Sequence, residues 1–176
     1  MSLTKENPAP VLADTLAHLE CTIEAVHASL YVVPDCGHVV NVEQHLYDFG
    51  VHLGMAFQLQ DDFLDAFGNP KTFGKKVGGD IVENKKTILY HLSLQQATPE
   101  QRSALLEWMG NQQVETSKKI EKVKALYVAT TADSKTRDQV AHYTQMAMDS
   151  LDQTQLTPEA KNHLKAFAKD LMHRTQ

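Results

Sequence analysis

The sequence predicts an all-α protein, a bundle of helices without a sheet. Apolar side chains recur at steps of three and four residues along much of the chain, as on the buried stripe of an amphipathic helix. Helix-start signals separate these stretches, each of them a Thr, Asn or Asp at a turn. No stretch of useful length alternates apolar and polar residues, which is the pattern of a half-buried strand.

The first predicted helix lies within residues 12–33. Its apolar positions step by four and three residues and would form one stripe: Leu12, Leu16, Leu19, Ile23, Val26, Leu30 and Val33. The sequence Pro34-Asp35-Cys36-Gly37 that follows is typical of a turn, so the helix is predicted to end there.

A second helix is predicted to begin near Val42 and to end at Gly68-Asn69-Pro70. Its buried positions would be Leu46, Phe49 and Leu53. The residues from there to Gly79 predict a loop that carries lysines, and such loops often hold ligands. Helix should resume near Asp80, a residue type that can cap a helix N-terminus.

Four more helices are predicted in the second half of the chain. Their expected starts are Thr98-Pro99, Asn111, Ala132-Asp133 and Thr157-Pro158. Pro99 and Pro158 suit the first turn of a helix, where the missing N–H costs nothing. Trp108 and Met109 are predicted to fill a core. The cluster Lys118, Lys119, Lys122 and Lys124 is interleaved with Glu115 and Glu121, which is typical of a solvated face.

Composition narrows the classes of function. The chain has 176 residues, 42% of them hydrophobic, which is enough for one domain with a sizeable core. A net charge of -5 with acids and bases interspersed argues against nucleic-acid binding. The two cysteines follow no metal-binding spacing and favour a reduced, cytoplasmic protein. No apolar run reaches the length of a membrane span, and residues 1–10 indicate a natural or vector-derived leader.

The most informative residues are three carboxylates near the end of the second predicted helix. A helix places Gln58, Asp61 and Asp65 on one face, with Asp62 about a quarter turn away. Two such carboxylates would repel by roughly 3 kcal/mol at about 6 Å and an effective dielectric of about 20. A bound divalent cation removes this repulsion, and hard oxygen ligands favour Mg²⁺ over zinc.

The alternative is an ordinary solvated helix face, but the neighbouring residues argue against it. They are Met55, Phe57, Leu59, Phe63, Leu64 and Phe67, all of them apolar. Downstream lie the segments FGKKVGGDI (residues 73–81) and NKKT (residues 84–87). Carboxylates on one side and lysines on a glycine-rich loop on the other are the parts needed to hold a Mg²⁺-diphosphate.

The segments FQLQDDFLD, GKKVGGDI and NKKT resemble the second aspartate-rich motif of the trans-prenyltransferases, the polyprenyl, farnesyl and geranylgeranyl diphosphate synthases. The resemblance runs from about Leu46 to about Thr87. A weaker one covers Thr22 to Leu30, which is similar to the family's Lys-Thr helix with Cys21 in place of the lysine. The resemblance implies an all-α helical bundle of the terpenoid (isoprenoid) synthase type.

The same resemblance implies that the bundle is incomplete. The family's first aspartate-rich motif has no counterpart here, since the sequence holds a single Asp-Asp pair. Residues 11–176 are therefore expected to be the C-terminal part of a polyprenyl synthetase domain.

The resemblance also assigns roles to residues. Asp61, Asp62 and Asp65 would be catalytic: Asp61 and Asp65 would coordinate one Mg²⁺, with Asp62 and Asp80 supporting it directly or through water. The substrate-binding residues implied are Thr22, Phe57, Gln58, Lys75 and Lys85. Among these, the lysines would contact diphosphate, Gln58 and Thr22 would lie near the allylic leaving group, and Phe57 would line an apolar cavity.

The function implied is the condensation of isopentenyl diphosphate with an allylic diphosphate, with release of pyrophosphate. The farnesyl or geranylgeranyl type is expected, as is a homodimer. This chain would need a missing N-terminal half for turnover. The alternative is a non-catalytic helical module, or an oligomerisation subunit, that retains a weak Mg²⁺-diphosphate site.

Overall fold

The structure, a computed structural model, describes residues 39–69, 77–111 and 114–173, with side chains from residue 44 onward. The helices in these ranges are α1 Val39–Phe67, α2 Gly79–Val82, α3 Ile88–Gln96, α4 Pro99–Gly110, α5 Thr116–Ala129, α6 Ala132–Gln153 and α7 Pro158–His173. These ranges contain no strand, and the all-α prediction is confirmed. The helix predicted within residues 12–33 lies outside the described residues.

Helix α1 is the axis of the described part, and it packs mainly against α6. It buries Phe49 and Leu53, as the apolar spacing predicts, while Leu46 is half-buried against the same core. It ends at Phe67 as predicted, and the Gly68 N–H closes the last turn on the Leu64 carbonyl at 2.8 Å. The last turn of α1 contains no basic residue.

Two apolar cores lie along α1. The first joins its C-terminal end to α2, α3, α4, α5 and the start of α6, through Ala66, Ile81, Leu89, Tyr90, Leu92, Leu105, Met109, Val123, Tyr127 and Ala132. Trp108 packs against this core, so the prediction for Trp108 and Met109 is confirmed. The second core joins the N-terminal half of α1 to α6 and α7 through Phe49, Leu53, Ala147, Leu151 and Ala168.

Most of the predicted helix starts agree with the structure. Helix α4 begins at Pro99 behind a capping box, in which Thr98 Oγ1 accepts from the Gln101 N–H at 3.3 Å and Gln101 Oε1 accepts from the Thr98 N–H at 2.9 Å. Helices α6 and α7 begin at Ala132 and Pro158. None of the described helices combines the length and apolar character needed to cross a bilayer.

One predicted start and one predicted cap are wrong. Asn111 does not begin a helix: its backbone is extended and closes α4, and α5 begins at Thr116 with Glu115 as its N-cap. Asp80 is not a cap but the second residue of the four-residue α2, whose N-cap is Gly78 with a φ of 92°. Glycine adopts this left-handed backbone conformation at little energetic cost. The N-cap of the helix is therefore the glycine and not the carboxylate.

The predicted solvated lysine face is wrong at Lys119, and Lys124 is half-buried with its Nζ 5.2 Å from the centre of the Phe67 ring. Lys118 and Lys122 are exposed on α5, as expected. Lys119 is only 4% exposed. It lies four residues before Val123 and eight before Tyr127, so it shares the buried stripe of the helix with these two core residues.

Candidate diphosphate and metal site

The last turns of α1 carry the acidic cluster, which is Asp61, Asp62 and Asp65. All three side chains are partly buried, and Leu59 and Leu64 beside them are buried. The cluster is therefore not a solvated helix face. Phe57, half-buried, and Gln58, exposed, precede it on the same helix.

Asp65 fastens α2 to α1. Its carbonyl oxygen accepts from the Gly78 N–H at 2.6 Å, and its carboxylate oxygen Oδ2 accepts from the Asp80 N–H at 2.9 Å. Glycine at residue 79 eases this close approach, because a Cβ there would make a tight contact of 3.2 Å with Asp65 Oδ1. Burial raises the pKa of Asp65, and the hydrogen bond from Asp80 opposes that rise. The fourth predicted metal ligand, Asp80, is thus held beside the acidic cluster.

Lys85 lies at the edge of the same group. Its ammonium Nζ is 2.6 Å from Asp80 Oδ1 and 3.2 Å from Glu83 Oε2, and its N–H donates to the Asp80 carbonyl at 2.9 Å. The hydrogen bonds to Asp80 and then to Glu83 raise the pKa of Lys85, so it stays a cation. Its side chain is 55% exposed, which leaves the ammonium group free to turn towards a phosphate oxygen.

Asp62 holds the start of α3. Its Oδ2 accepts from the N–H of Ile88, the first residue of α3, at 3.2 Å. Thr87, the N-cap residue, does not cap the helix with its own side chain. Asp62 therefore supplies the negative group that a helix N-terminus favours. Burial raises the pKa of Asp62 to about 6, and the neighbouring carboxylates of Asp80, Asp61 and Asp65 add to the rise.

The described residues contain no group of three or more His, Cys, Asp or Glu side chains placed so as to hold a metal ion. Mg²⁺ does not require such a group, because it keeps several waters and is usually bound by one or two carboxylates together with phosphate oxygens. The hydrogen bonds above engage Asp62 and Asp65 through Oδ2 and Asp80 through Oδ1, and leave the other oxygen of each as a hard ligand. The donor set therefore fits Mg²⁺ with a diphosphate.

Several predicted site residues are close together and others lie outside the described ranges. Contacts join Asp65, Asp80 and Lys85, and Asp62 lies three residues before Asp65 on α1. Thr22 and Lys75 lie outside the described residues. Lys119 and Tyr127, which lie against the segment around Lys85, were not among the predicted site residues. The four-residue spacing from Lys119 to Val123 to Tyr127 was the available signal.

Comparisons with known proteins place these features in a family. A family model described as polyprenyl synthetase matches residues 17–127. Farnesyl pyrophosphate synthase of Bos taurus is 47% identical over 77 residues, which cover 44% of this chain and 21% of the relative. A short chain isoprenyl diphosphate synthase of Methanocaldococcus jannaschii is 33% identical over 118 residues, covering 65% of this chain and 36% of the relative.

Solved structures agree with the sequence relatives. A geranylgeranyl pyrophosphate synthase crystal structure matches with a TM-score of 0.69 and 39% identity, over 78% of this chain and 43% of the other. A geranylgeranyl pyrophosphate synthase from Corynebacterium glutamicum, complexed with isoprenyl diphosphate and magnesium, matches with a TM-score of 0.69 and 31% identity, over 78% of this chain and 39% of the other.

The match covers only part of each relative. The chain spans about a fifth to a third of the length of the two curated relatives named above. The family model itself covers well over half of this chain, and its residues include the acidic cluster, Asp80 and Lys85. The fold, the motif and the family model agree, and the chain belongs to the polyprenyl synthetase family.

Proposed function

We propose that this chain forms the diphosphate-binding part of a prenyltransferase that condenses isopentenyl diphosphate with an allylic diphosphate and releases pyrophosphate. Relatives named farnesyl and geranylgeranyl synthases support a short-chain product. The observation that carries the proposal is the series of contacts from Asp65 to Asp80 to Lys85, which places carboxylate oxygens and an ammonium group side by side.

In this proposal Asp61 and Asp65 hold a Mg²⁺ ion, and Asp62 and Asp80 support it directly or through water. When bound, the ion neutralises diphosphate oxygens and makes pyrophosphate a better leaving group. Lys85 donates to the same diphosphate by turning from Asp80 and Glu83, which disperses the negative charge of the leaving group further. Lys75 and Thr22 are proposed as additional diphosphate contacts.

The chain's other role is to orient the allylic group and to exclude water from it. Gln58 lies one turn before the acidic cluster, where its amide can donate to the departing diphosphate. Phe57 and the apolar side chains around it provide surface against which a hydrocarbon chain can pack. Water must be kept from the carbocation that forms as the C–O bond breaks, because water would capture it before the double bond of isopentenyl diphosphate attacks.

Binding and turnover test the proposal separately. Calorimetry of the purified chain with Mg²⁺ and pyrophosphate should show binding that is lost in the variant Asp61→Asn/Asp65→Asn and kept in Asp138→Asn, an exposed site on α6. No binding by the unmodified chain would refute the proposal.

Pyrophosphate release from geranyl diphosphate and isopentenyl diphosphate should be slight with this chain alone. Turnover should appear when the chain is co-expressed with the N-terminal part of a family synthase. Binding without turnover in that mixture favours the alternative, a non-catalytic module that retains a Mg²⁺-diphosphate site. Rapid turnover by the chain alone would show that no further half is needed.

We further propose that the protein acts as a homodimer in the cytoplasm, without nucleic-acid partners. Large apolar side chains are exposed on several helices and are available for self-association: they are Tyr47, Val82, Leu106, Val128 and Phe167. Light scattering after size-exclusion chromatography should give twice the mass of the chain, and a monomer at micromolar concentration would contradict the proposal.

A further inference from the structure

Lys119 is a buried cation that has no carboxylate partner within the described residues. It is 4% exposed, and its Nζ donates to three neutral oxygens: Asn84 Oδ1 at 2.5 Å, the Asn111 carbonyl at 3.3 Å and the Met109 carbonyl at 3.5 Å. Burial lowers the pKa of this ammonium group, so its charge is a cost to the fold. An apolar residue of similar length would fill the space without that cost, which calls for another reason for a lysine here.

The three acceptors belong to two separate parts of the fold. The carbonyls of Met109 and Asn111 lie at the C-terminal end of α4, where the helix dipole favours a cation. Asn84 lies in the turn between α2 and α3 and has a left-handed backbone with a φ of 58°. A single ammonium group therefore ties the end of α4 to the residue that directly precedes Lys85.

The neighbours of Lys119 on α5 hold the rest of the same segment, residues 78–88. A Cβ on Gly78 would lie 2.7 Å from Ile120 Cδ1, so the side chain of Ile120 packs directly on the start of the segment. Tyr127, 1% exposed, lies beside Thr87 near the end of the segment; burial raises the pKa of Tyr127, and the Thr87 side chain lowers it. Helix α5 thus contacts segment 78–88 at its start, middle and end, and the middle contact is the one from Lys119.

We propose that Lys119 is a positioning residue for the diphosphate and metal site: by holding Asn84 it fixes the turn that places Asp80 and Lys85 beside Asp65. The proposal rests on the proposed function for what the site binds. The placement of the turn is separate from that function and can be measured without ligand.

Hydrogen exchange measured by NMR on the metal-free chain tests the placement. The amides to follow are those of Asp80 and Lys85, which donate to Asp65 and Asp80. Lys119→Met should speed their exchange about tenfold, as expected for the loss of one hydrogen bond to a charged group. Amides of Ala56 and Ala147 in the body of the bundle should keep their rates. Lys122→Met, an exposed lysine on the same helix, should change none of them.

Asn84→Gly provides the second variant, because glycine keeps the left-handed turn and removes the acceptor. It should speed exchange at Asp80 and Lys85 as Lys119→Met does, and the double variant should add little to either. If Lys119→Met fails to fold, the exchange rates of Asn84→Gly alone test the proposal. Unchanged exchange at these two amides would overturn the proposal. An equal rise in exchange rate throughout the chain would also overturn it, because it would show that Lys119 only stabilises the fold as a whole.

Binding of Mg²⁺ with pyrophosphate, followed by calorimetry, tests the link to the site. Both variants should weaken binding about tenfold. This is the usual effect of losing a residue that orients metal-binding side chains without contacting the metal itself. Lys122→Met should bind as the unmodified chain does. Absence of binding by the unmodified chain would refute the proposed function, and the exchange rates would still decide whether Lys119 positions the turn. Unchanged affinity in folded Lys119→Met and Asn84→Gly would overturn the link.

Discussion

At the scale of single residues, Asp62 combines a structural task with a place in a proposed metal site. Its carboxylate accepts the N–H at the start of α3, yet burial raises its pKa to about 6. The hydrogen bond stabilises the anion, while burial beside three other carboxylates disfavours it. The burial effect is the larger of the two. A metal ion beside the cluster would reverse this balance.

The metal-free chain should therefore be stabilised by Asp62→Asn at neutral pH. The ordinary pKa of 3.8 applies to the unfolded chain and about 6 to the folded one, so between these values the folded state holds more protons and its stability falls as pH rises. The charged Asp62 lowers the free energy of unfolding by about 3 kcal/mol above pH 6, and this destabilisation is absent below pH 4. Urea unfolding in chelator should show the variant more stable at pH 7.5, with little difference at pH 4. Equal stability at pH 7.5 would contradict this.

Lys85 and Lys86 form a matched pair of neighbouring lysines. Lys85 contacts Asp80 and Glu83, whereas Lys86 is exposed and forms no ion pair among the described residues. Lys85→Met should weaken Mg²⁺-pyrophosphate binding about tenfold, as expected for one charge-assisted hydrogen bond. Lys86→Met should change it less than about twofold. Calorimetry measures both, and equal losses would show that only the summed charge of the loop matters.

How far the site could be predicted depends on the residue. The acidic cluster and Lys85 could be recognised because charged groups in an apolar stretch stand out in a linear sequence. Lys119 could not be recognised by charge, since its neighbours in the sequence include two exposed lysines and two exposed glutamates: Lys118, Lys122, Glu115 and Glu121. Its burial follows from the stripe shared with Val123 and Tyr127, and its partner Asn84 is brought to it only by the fold.

At the scale of elements, Gly78 determines how α2 leaves α1. Its φ of 92° suits glycine, and a Cβ there would lie 2.7 Å from Ile120. Gly78→Ala should destabilise the protein by about 2 kcal/mol or more, since backbone strain adds to the clash. Gly50→Ala is the control: its Cβ would meet no described atom within 4 Å, and removing a helical glycine should stabilise by up to about 1 kcal/mol. Urea unfolding measures both, and a neutral Gly78→Ala would contradict the assigned strain.

The capping box of α4 gives a second test at this scale. Thr98→Ala removes the side-chain oxygen that accepts from Gln101 and should cost about 1 kcal/mol of stability. Ser103→Ala, exposed within the same helix, should be neutral or slightly stabilising. Thermal unfolding followed by circular dichroism distinguishes the two, and equal melting temperatures would argue against the cap.

Helix boundaries were predictable where a local signal decides them. Thr98-Pro99 and Thr157-Pro158 combine a capping residue with a proline, and both helices begin there. Asn111 carries the same kind of side chain, but its carbonyl is held by Lys119 and it ends one helix rather than starting the next. This contact from the next helix accompanies the boundary, and the helix-start signals of the local sequence do not reveal it.

At the scale of the whole molecule, α1 passes through both cores and should join them into one unfolding unit. Leu105 lies in the first core and Leu151 in the second, each at most 1% exposed. Either Leu→Ala change should cost about 2–5 kcal/mol and shift one shared transition, seen alike in near- and far-ultraviolet circular dichroism. Leu106→Ala, at a side chain 48% exposed, should cost far less. Two separate transitions would show that the cores unfold independently.

The position of the acids at the carboxyl end of α1, where no lysine, arginine or histidine occupies the last turn, affects how ligands arrive. Helix carbonyls at that end add their own negative potential to that of the side chains. These groups attract a dication and repel a bare anion, although Lys85, Lys124 and Arg137 nearby offset part of that repulsion. Raising the ionic strength should therefore slow association of the cation and speed that of uncomplexed pyrophosphate. For the proposed site, the favoured route would then be entry of the anion already paired with metal.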